Sequence, residues 1–226
     1  MSAVTTARPK SGAAQGVGYN LLAISLALVL IGLALAYAID AAGRDGRVPA
    51  HRTDGGITLA RTLGGVELHI PQTWFRNPEQ PAEGFAREIE LNLVVPLGPA
   101  GALRDVDVTL MPRSGVRASA ALLDGVYLHM FTEAERDGPQ GLIGKPLRPL
   151  EGYATETVWY DPISADPFVA KCGDPVAEGR SRCLRAVHLA PGIAAVYAFD
   201  ADLLANWRQF DDEVHRYLRR IGVAGP

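Results

Sequence analysis

Residues 88–95, EIELNLVV, and 105–110, DVDVTL, alternate apolar and polar side chains. Ile89, Leu91, Leu93 and Val95 share one face of an extended chain, and Glu88, Glu90 and Asn92 share the other. Val106, Val108 and Leu110 repeat the pattern against Asp105, Asp107 and Thr109. A period of two belongs to a strand with one buried and one solvated face, so both stretches predict half-buried strands.

Working outward toward the N-terminus, ITLAR (57–61) and VELHI (66–70) flank Leu63-Gly64-Gly65, a hairpin signal, and lead through Pro71 to the aromatic pair Trp74-Phe75. A Pro/Glu-rich loop or short helix is expected over 77–87. Toward the C-terminus the reading is a short Ala/Leu helix over 115–125, a strand at VYLHMFTEA (126–134) and a turn-rich connection over 135–150. YATETVWYDP and PFVAKC are two more strands, parted by the turns at Asp161-Pro162 and Asp166-Pro167. CLRAVHLAP and GIAAVYAF form a hairpin through Pro191-Gly192.

The chain then changes period. Leu203, Leu204, Trp207, Phe210, Val214, Tyr217, Leu218 and Ile221 recur every three or four residues. Asp200 or Asp202 stands ready to cap this helix, Arg216, Arg219 and Arg220 fill its last turns, and Gly222 ends it. The expected fold class is α+β, a mainly antiparallel sheet of about seven to nine strands covered on one face by a C-terminal amphipathic helix. No internal repeat interrupts it.

Before that domain lies a different kind of sequence. Leu21 to Ile39 read LLAISLALVLIGLALAYAI without a charge, and the first 39 residues contain no Asp or Glu. At about 1.5 Å per residue the run would span roughly 28 Å, close to the hydrocarbon thickness of a bilayer. Ala36-Tyr37-Ala38 also offers a signal-peptidase site, which leaves cleavage open as an alternative to a retained signal-anchor; the length of the run favours the anchor. The organisation expected is a cytoplasmic tail (1–20), a single-pass transmembrane helix (21–39), a flexible tether (40–55) rich in Gly, Asp and Arg, and an exported α+β domain (56–226). Small residues at Ala23 and Ala27, and at Gly32 and Ala36, are four apart and would let another membrane helix approach.

Orientation rests on weak charge cues, with Arg8 and Lys10 before the run and Arg44, Arg47 and Arg52 after it. The cysteines weigh more. Cys172 and Cys183 are the only two, and Gly173-Asp174-Pro175 and Gly179 lie between them, so the spacing reads as a disulfide stapling a hairpin across its strands. It matches neither a Cys-x-x-Cys redox motif nor a zinc site. Nineteen Arg against three Lys suggest a GC-rich bacterial genome, which makes the oxidising side the periplasm and the membrane the inner membrane.

The chain has 226 residues, 48% hydrophobic and 21% charged, which excludes collagen-like, coiled-coil and wholly disordered classes. After residue 39 there are 20 Lys plus Arg against 25 acidic residues, a net charge of −5 that speaks against nucleic acid. No His-Glu-x-x-His, Gly-x-Ser-x-Gly, Ser-x-x-Lys, phosphate loop or dinucleotide fingerprint occurs. The five histidines never fall two or four apart, so no metal site, catalytic residue or cofactor is assigned. Paired carboxylates at Glu88 and Glu90, and at Asp105 and Asp107, would suit Ca²⁺ or acid/base chemistry if their strands adjoin, and otherwise form a solvated sheet face. Trp74, Phe75, Trp159 and Tyr160 stand at strand ends beside Pro-containing turns and are the candidate ligand-binding residues.

LHIPQTWFR (68–76), GLIGKPLRP (141–149), GYATETVWYDP (152–162) and PFVAKC (167–172) resemble stretches of uncharacterised single-pass inner-membrane proteins of proteobacteria. That resemblance implies topology and no activity, ligand or site residue. A hairpin ending in Pro-x-x-Trp, with a Trp-bearing terminal helix, is similar to the PsbP-like α/β sandwich, which implies an accessory or binding role. The functional expectation is a membrane-anchored periplasmic accessory or protein-interaction protein, non-catalytic, whose partners are the bilayer and an inner-membrane or envelope protein. The alternatives are a periplasmic binding module for a small ligand or envelope polymer and, below it, a hydrolase using the carboxylates.

Overall fold

The computed structural model describes residues 24–36, 56–77, 83–149, 156–173, 180–189 and 192–223. The chain divides into two units, Met1–Ala50 and His51–Pro226. In the first, residues 24–36 form a helix (α1) whose side chains are exposed throughout, with Ile24 at 57% and Leu33 at 69%. Among the described residues no helix is long and apolar enough to cross a membrane. The ends of the expected span, the tail 1–20, the tether 40–55 and Ala23 lie outside the described residues.

In the second unit, seven strands form one antiparallel sheet. They are β4 (Ile89–Val95), β5 (Arg104–Pro112), β6 (Ile143–Pro146), β7 (Glu156–Tyr160), β8 (Val169–Gly173), β9 (Arg182–His188) and β10 (Ile193–Asp200), in the order β4-β5-β10-β9-β8-β7-β6. A small sheet joins β1 (Thr58–Leu63) and β2 (Val66–Pro71) as a hairpin, with β3 (Gly84–Phe85) parallel to β1. The alternation in β4 and β5 is honoured in three dimensions. Ile89 pairs with Leu110, Leu91 with Val108 and Leu93 with Val106, and each of these is at most 1% exposed. One slip of register would turn that whole set to water.

Across the buried face lies the C-terminal helix, α4 (Trp207–Arg220). Phe210, Val214, Leu218 and Ile221 pack into the same core as the sheet, and the Phe210 ring is 4.4 Å from that of Phe199. The helix ends as expected. Gly222 takes φ +96, its N–H bonds Arg219 O, and the Val223 N–H reaches back to Leu218 O, which satisfies the last carbonyls. Its start differs from expectation, because neither Asp200 nor Asp202 caps it. Ala201–Asn206 is a 3-10 segment, and the Asp200 carboxylate is held by Arg180 and Arg182, both at 3.3 Å. The small sheet closes the other end, where Ile221 O accepts from His69 N and Trp74 packs 5.9 Å from Tyr217. The β1–β2 and β9–β10 turns meet at Gly64 and Gly192, where a Cβ on Gly64 would come 2.9 Å from Gly192 O. Both glycines have positive φ, so a side chain is excluded twice over.

Two stretches depart from the sequence reading. Residues 126–134 are not a strand: α2 (Ser119–Leu122), one π turn (Leu123–Tyr127) and α3 (Leu128–Met130) run together there. Leu123, Tyr127 and Met130 recur at helical intervals and land with Phe131 on Val158, Val169, Leu147 and Tyr160, a second cluster. That burial overrides the strand propensity of Val126 and Tyr127. The connection 135–150 contains β6, whose Gly144 and Pro146 read as breakers but are tolerated at a sheet edge. Both outer edges are covered in part, β6 by bridges from Phe131 and Arg136, and β4 by Phe75 opposite Leu91 with Arg76 N bonded to Glu90 O. Such cover protects the sheet from pairing with other chains.

Candidate functional site

Cys172 and Cys183 face each other on β8 and β9 and are joined, with their Cα atoms 4.0 Å apart. Most of the loop that they close, 174–179, lies outside the described residues. The bond suggests an oxidising, extracytoplasmic compartment for this domain. It also anchors a row across the sheet. Thr157 is opposite Cys172, Cys172 opposite Cys183, and Cys183 opposite Phe199, so the four share the face covered by α4.

At the end of that row opens a cleft of about 280 Å³. Its floor is Thr157, Trp159 and Cys172, one wall is the turn through Arg136, Asp137, Gly138 and Pro139, and the other is Ala201 and Leu204 at the start of the C-terminal helical segment. The turn is fixed at both ends, by Arg136 N on Gly144 O at 2.8 Å and by the Trp207 indole N–H on Gln140 O at 3.2 Å. The Trp159 indole lies against the backbone of this region. A Cβ on Gly144 would come within 2.5 Å of its Cζ3, and one on Gly138 nearer still. Thr157 is 2% exposed, and its Oγ1 is buried with no hydrogen-bond partner. A neighbouring cleft of about 440 Å³ shares Ser181 and Ala201 with the first and is otherwise lined by Arg104, Arg180, Asp200 and Asp202. In it Arg104 pairs with Asp202 at 3.4 Å and Arg180 with Asp200 at 3.3 Å.

The other residues singled out from sequence lie elsewhere. Trp74 and Phe75 are 4% and 3% exposed, inside the core, and Tyr160 stacks on Phe131 at 5.9 Å on the opposite face of the sheet. Of the four aromatics only Trp159 lines a described cleft. The strands carrying the carboxylates do adjoin, but Glu90 lies opposite Thr109 and Asp107 opposite Asn92. Asp107 is bound by the Asn92 amide at 3.0 Å and by Arg182 at 2.8 Å, while Glu90 pairs with Arg76 at 3.7 Å. Glu88 is exposed ahead of β4, and Asp105 lies opposite Val94. Among the described residues no group of three or more His, Cys, Asp or Glu is placed to hold a metal. Ala27, Gly32 and Ala36 are exposed on α1.

One polar cluster had no sequence signal. Arg185, 7% exposed, reaches Asp211 of α4 through Nε at 2.9 Å and Nη2 at 2.5 Å, gives Nη1 to Val169 O, and lies 4.4 Å over the Phe168 ring. Beside it His215 Nε2 is 3.1 Å from the Tyr197 hydroxyl. Burial, then the Asp211 charge, push the Tyr197 hydroxyl well above its ordinary range, and burial pushes His215 down. Both groups are therefore neutral near pH 7, and the cluster fastens α4 to β9 and β10. His188 is held separately: Arg113 Nε donates to its Nδ1, leaving Nε2–H to donate to Val116 O.

No family model, no curated protein and no solved structure matches the chain.

Proposed function

We propose that the chain is a membrane-held accessory protein of a bacterial inner membrane, whose disulfide-bonded domain works on the periplasmic side at a membrane or envelope complex and catalyses no reaction of its own. The observation that carries this reading is α1, a helix apolar at every position but Ser25 and exposed along its whole length, in a unit separate from the sheet domain. Such a surface is stable only against lipid or another helix. The carboxylates Glu90 and Asp107 are engaged by Arg76 and Arg182, which supports a structural use for them. The likeness to single-pass inner-membrane proteins noted in the sequence agrees with this topology.

Native gel electrophoresis of the full chain, extracted in several mild detergents, tests the reading. Migration as a larger complex, lost when Gly32→Leu and Ala36→Leu widen the small-residue face of α1, is expected. Migration as a monomer in every detergent overturns it. A second reading, a periplasmic binding module for a small ligand or envelope polymer, is favoured by one observation: the cleft lined by Trp159 and by Thr157, whose buried hydroxyl has no partner.

A further inference from the structure

We infer that the cleft beside the Cys172–Cys183 bridge takes a small, neutral, polyhydroxylated ligand, a saccharide unit, held by Thr157 and Trp159. The inference rests on the binding-module reading and adds the ligand's chemical class. Two independent observations meet at this place. One is the opening itself, whose volume of about 280 Å³ falls just below the roughly 300–1,000 Å³ of drug-sized ligand sites and suits a smaller ligand. The other is the Thr157 Oγ1, buried without a partner on a residue that lines that opening. A buried hydroxyl left unbonded is destabilising, and a valine would fill the same space without that cost. The hydroxyl is covered in the free structure, so a small shift of the cleft lining on binding would let a ligand hydroxyl supply the missing bond.

The surroundings select among ligands. Cys172, Pro139, Leu204 and the Trp159 indole are apolar and suit the C–H face of a sugar ring. The charges are balanced, because Asp137 stands beside Arg136, and the adjoining cleft pairs Arg104 with Asp202 and Arg180 with Asp200. Two of these arginines are already committed to carboxylates, so the site has no net charge with which to offset the desolvation of a phosphate, a carboxylate or an ammonium group. Side-by-side guanidinium and carboxylate groups do present donors and acceptors together, as a row of hydroxyl groups requires. The shared wall at Ser181 and Ala201 gives a second unit of a longer glycan somewhere to lie. Gly138 and Gly144 hold the indole where it is, since a Cβ on either would collide with its ring.

The experiment uses the full chain in lipid nanodiscs, free of sugar-based detergent, titrated calorimetrically with glucose, galactose, N-acetylglucosamine and maltotriose, and in separate arms with diglycine and inorganic phosphate. Saturable binding of at least one saccharide is expected. Thr157→Val should weaken it about tenfold or more while leaving the thermal midpoint equal or higher, and Gly144→Ala, which displaces the indole, should weaken it too. Saturable binding of diglycine or phosphate without any saccharide overturns the ligand class and leaves the cleft as a binding site. No saturable binding of any probe, or saccharide binding untouched by Thr157→Val, overturns both.

Discussion

His215 is 8% exposed on α4, with its Nε2 against the Tyr197 hydroxyl and with Asp211, Asp212, Arg185 and Arg219 around it. Burial is the largest influence and disfavours the imidazolium, so the folded chain takes up this proton at a lower pH than the unfolded chain, whose value stays near the ordinary 6.5. The linkage has a definite sign. The neutral ring contributes its full share of stability above about pH 6.5, and that share is lost as pH falls through the lower folded value. The urea midpoint of the domain should therefore drop between about pH 7 and pH 5. His215→Gln, which can still bond Tyr197, should fall less steeply, and parallel curves for parent and variant would contradict the assignment. At this scale the sequence is only partly legible. Arg185 has the strand parity of Cys183, which places it inside, yet an arginine in a strand is read as outward until Asp211 is seen across from it. Thr157 stands two residues from Trp159 and shares its face, but nothing local shows that its hydroxyl lacks a partner. That depends on the turn at 136–139, which is distant in sequence.

At the scale of elements, α4 and the strands β4 and β5 are written in their own periods, because each buries one face along its length, whereas β7 and β8 bury residues on both faces and read as short apolar runs between turns. The segment 119–130 and β6 are written in neither way, because their form follows from what they cover. The first folds as a helix with a π turn over Val158 and Val169, and the second pairs with β7 beneath the Trp159 ring. The docking of α4 can be tested through the Arg185–Asp211 ion pair, which is buried at its arginine. Asp211→Ala leaves Arg185 without its bidentate partner among apolar neighbours and should cost about 1–3 kcal/mol in urea unfolding, below the usual toll of a broken buried pair because the Asp211 side chain is 31% exposed. Arg185→Met removes the charge along with the pair and should cost less. A larger loss in Arg185→Met than in Asp211→Ala would show that the arginine's contacts within the sheet, to Val169 O and the Phe168 ring, outweigh its pair with the helix.

Across the whole molecule, an apolar helix stands in one unit and a disulfide-stapled α+β domain in the other, and under the proposed topology the domain lies on the oxidising side of a membrane. The staple also bears on stability, since removing so short a closed loop with Cys183→Ser should cost the domain roughly 2–3 kcal/mol. The most direct measurement is a count of free thiols on the full chain in freshly isolated cells. Cells are quenched in acid and the denatured protein is alkylated with a maleimide-polyethylene glycol, so that each free cysteine adds a step in gel mobility. The account predicts no shift without reductant and a two-step shift after reduction. A two-step shift without reductant would mean that Cys172 and Cys183 are unbonded in the cell, and would contradict an exported domain.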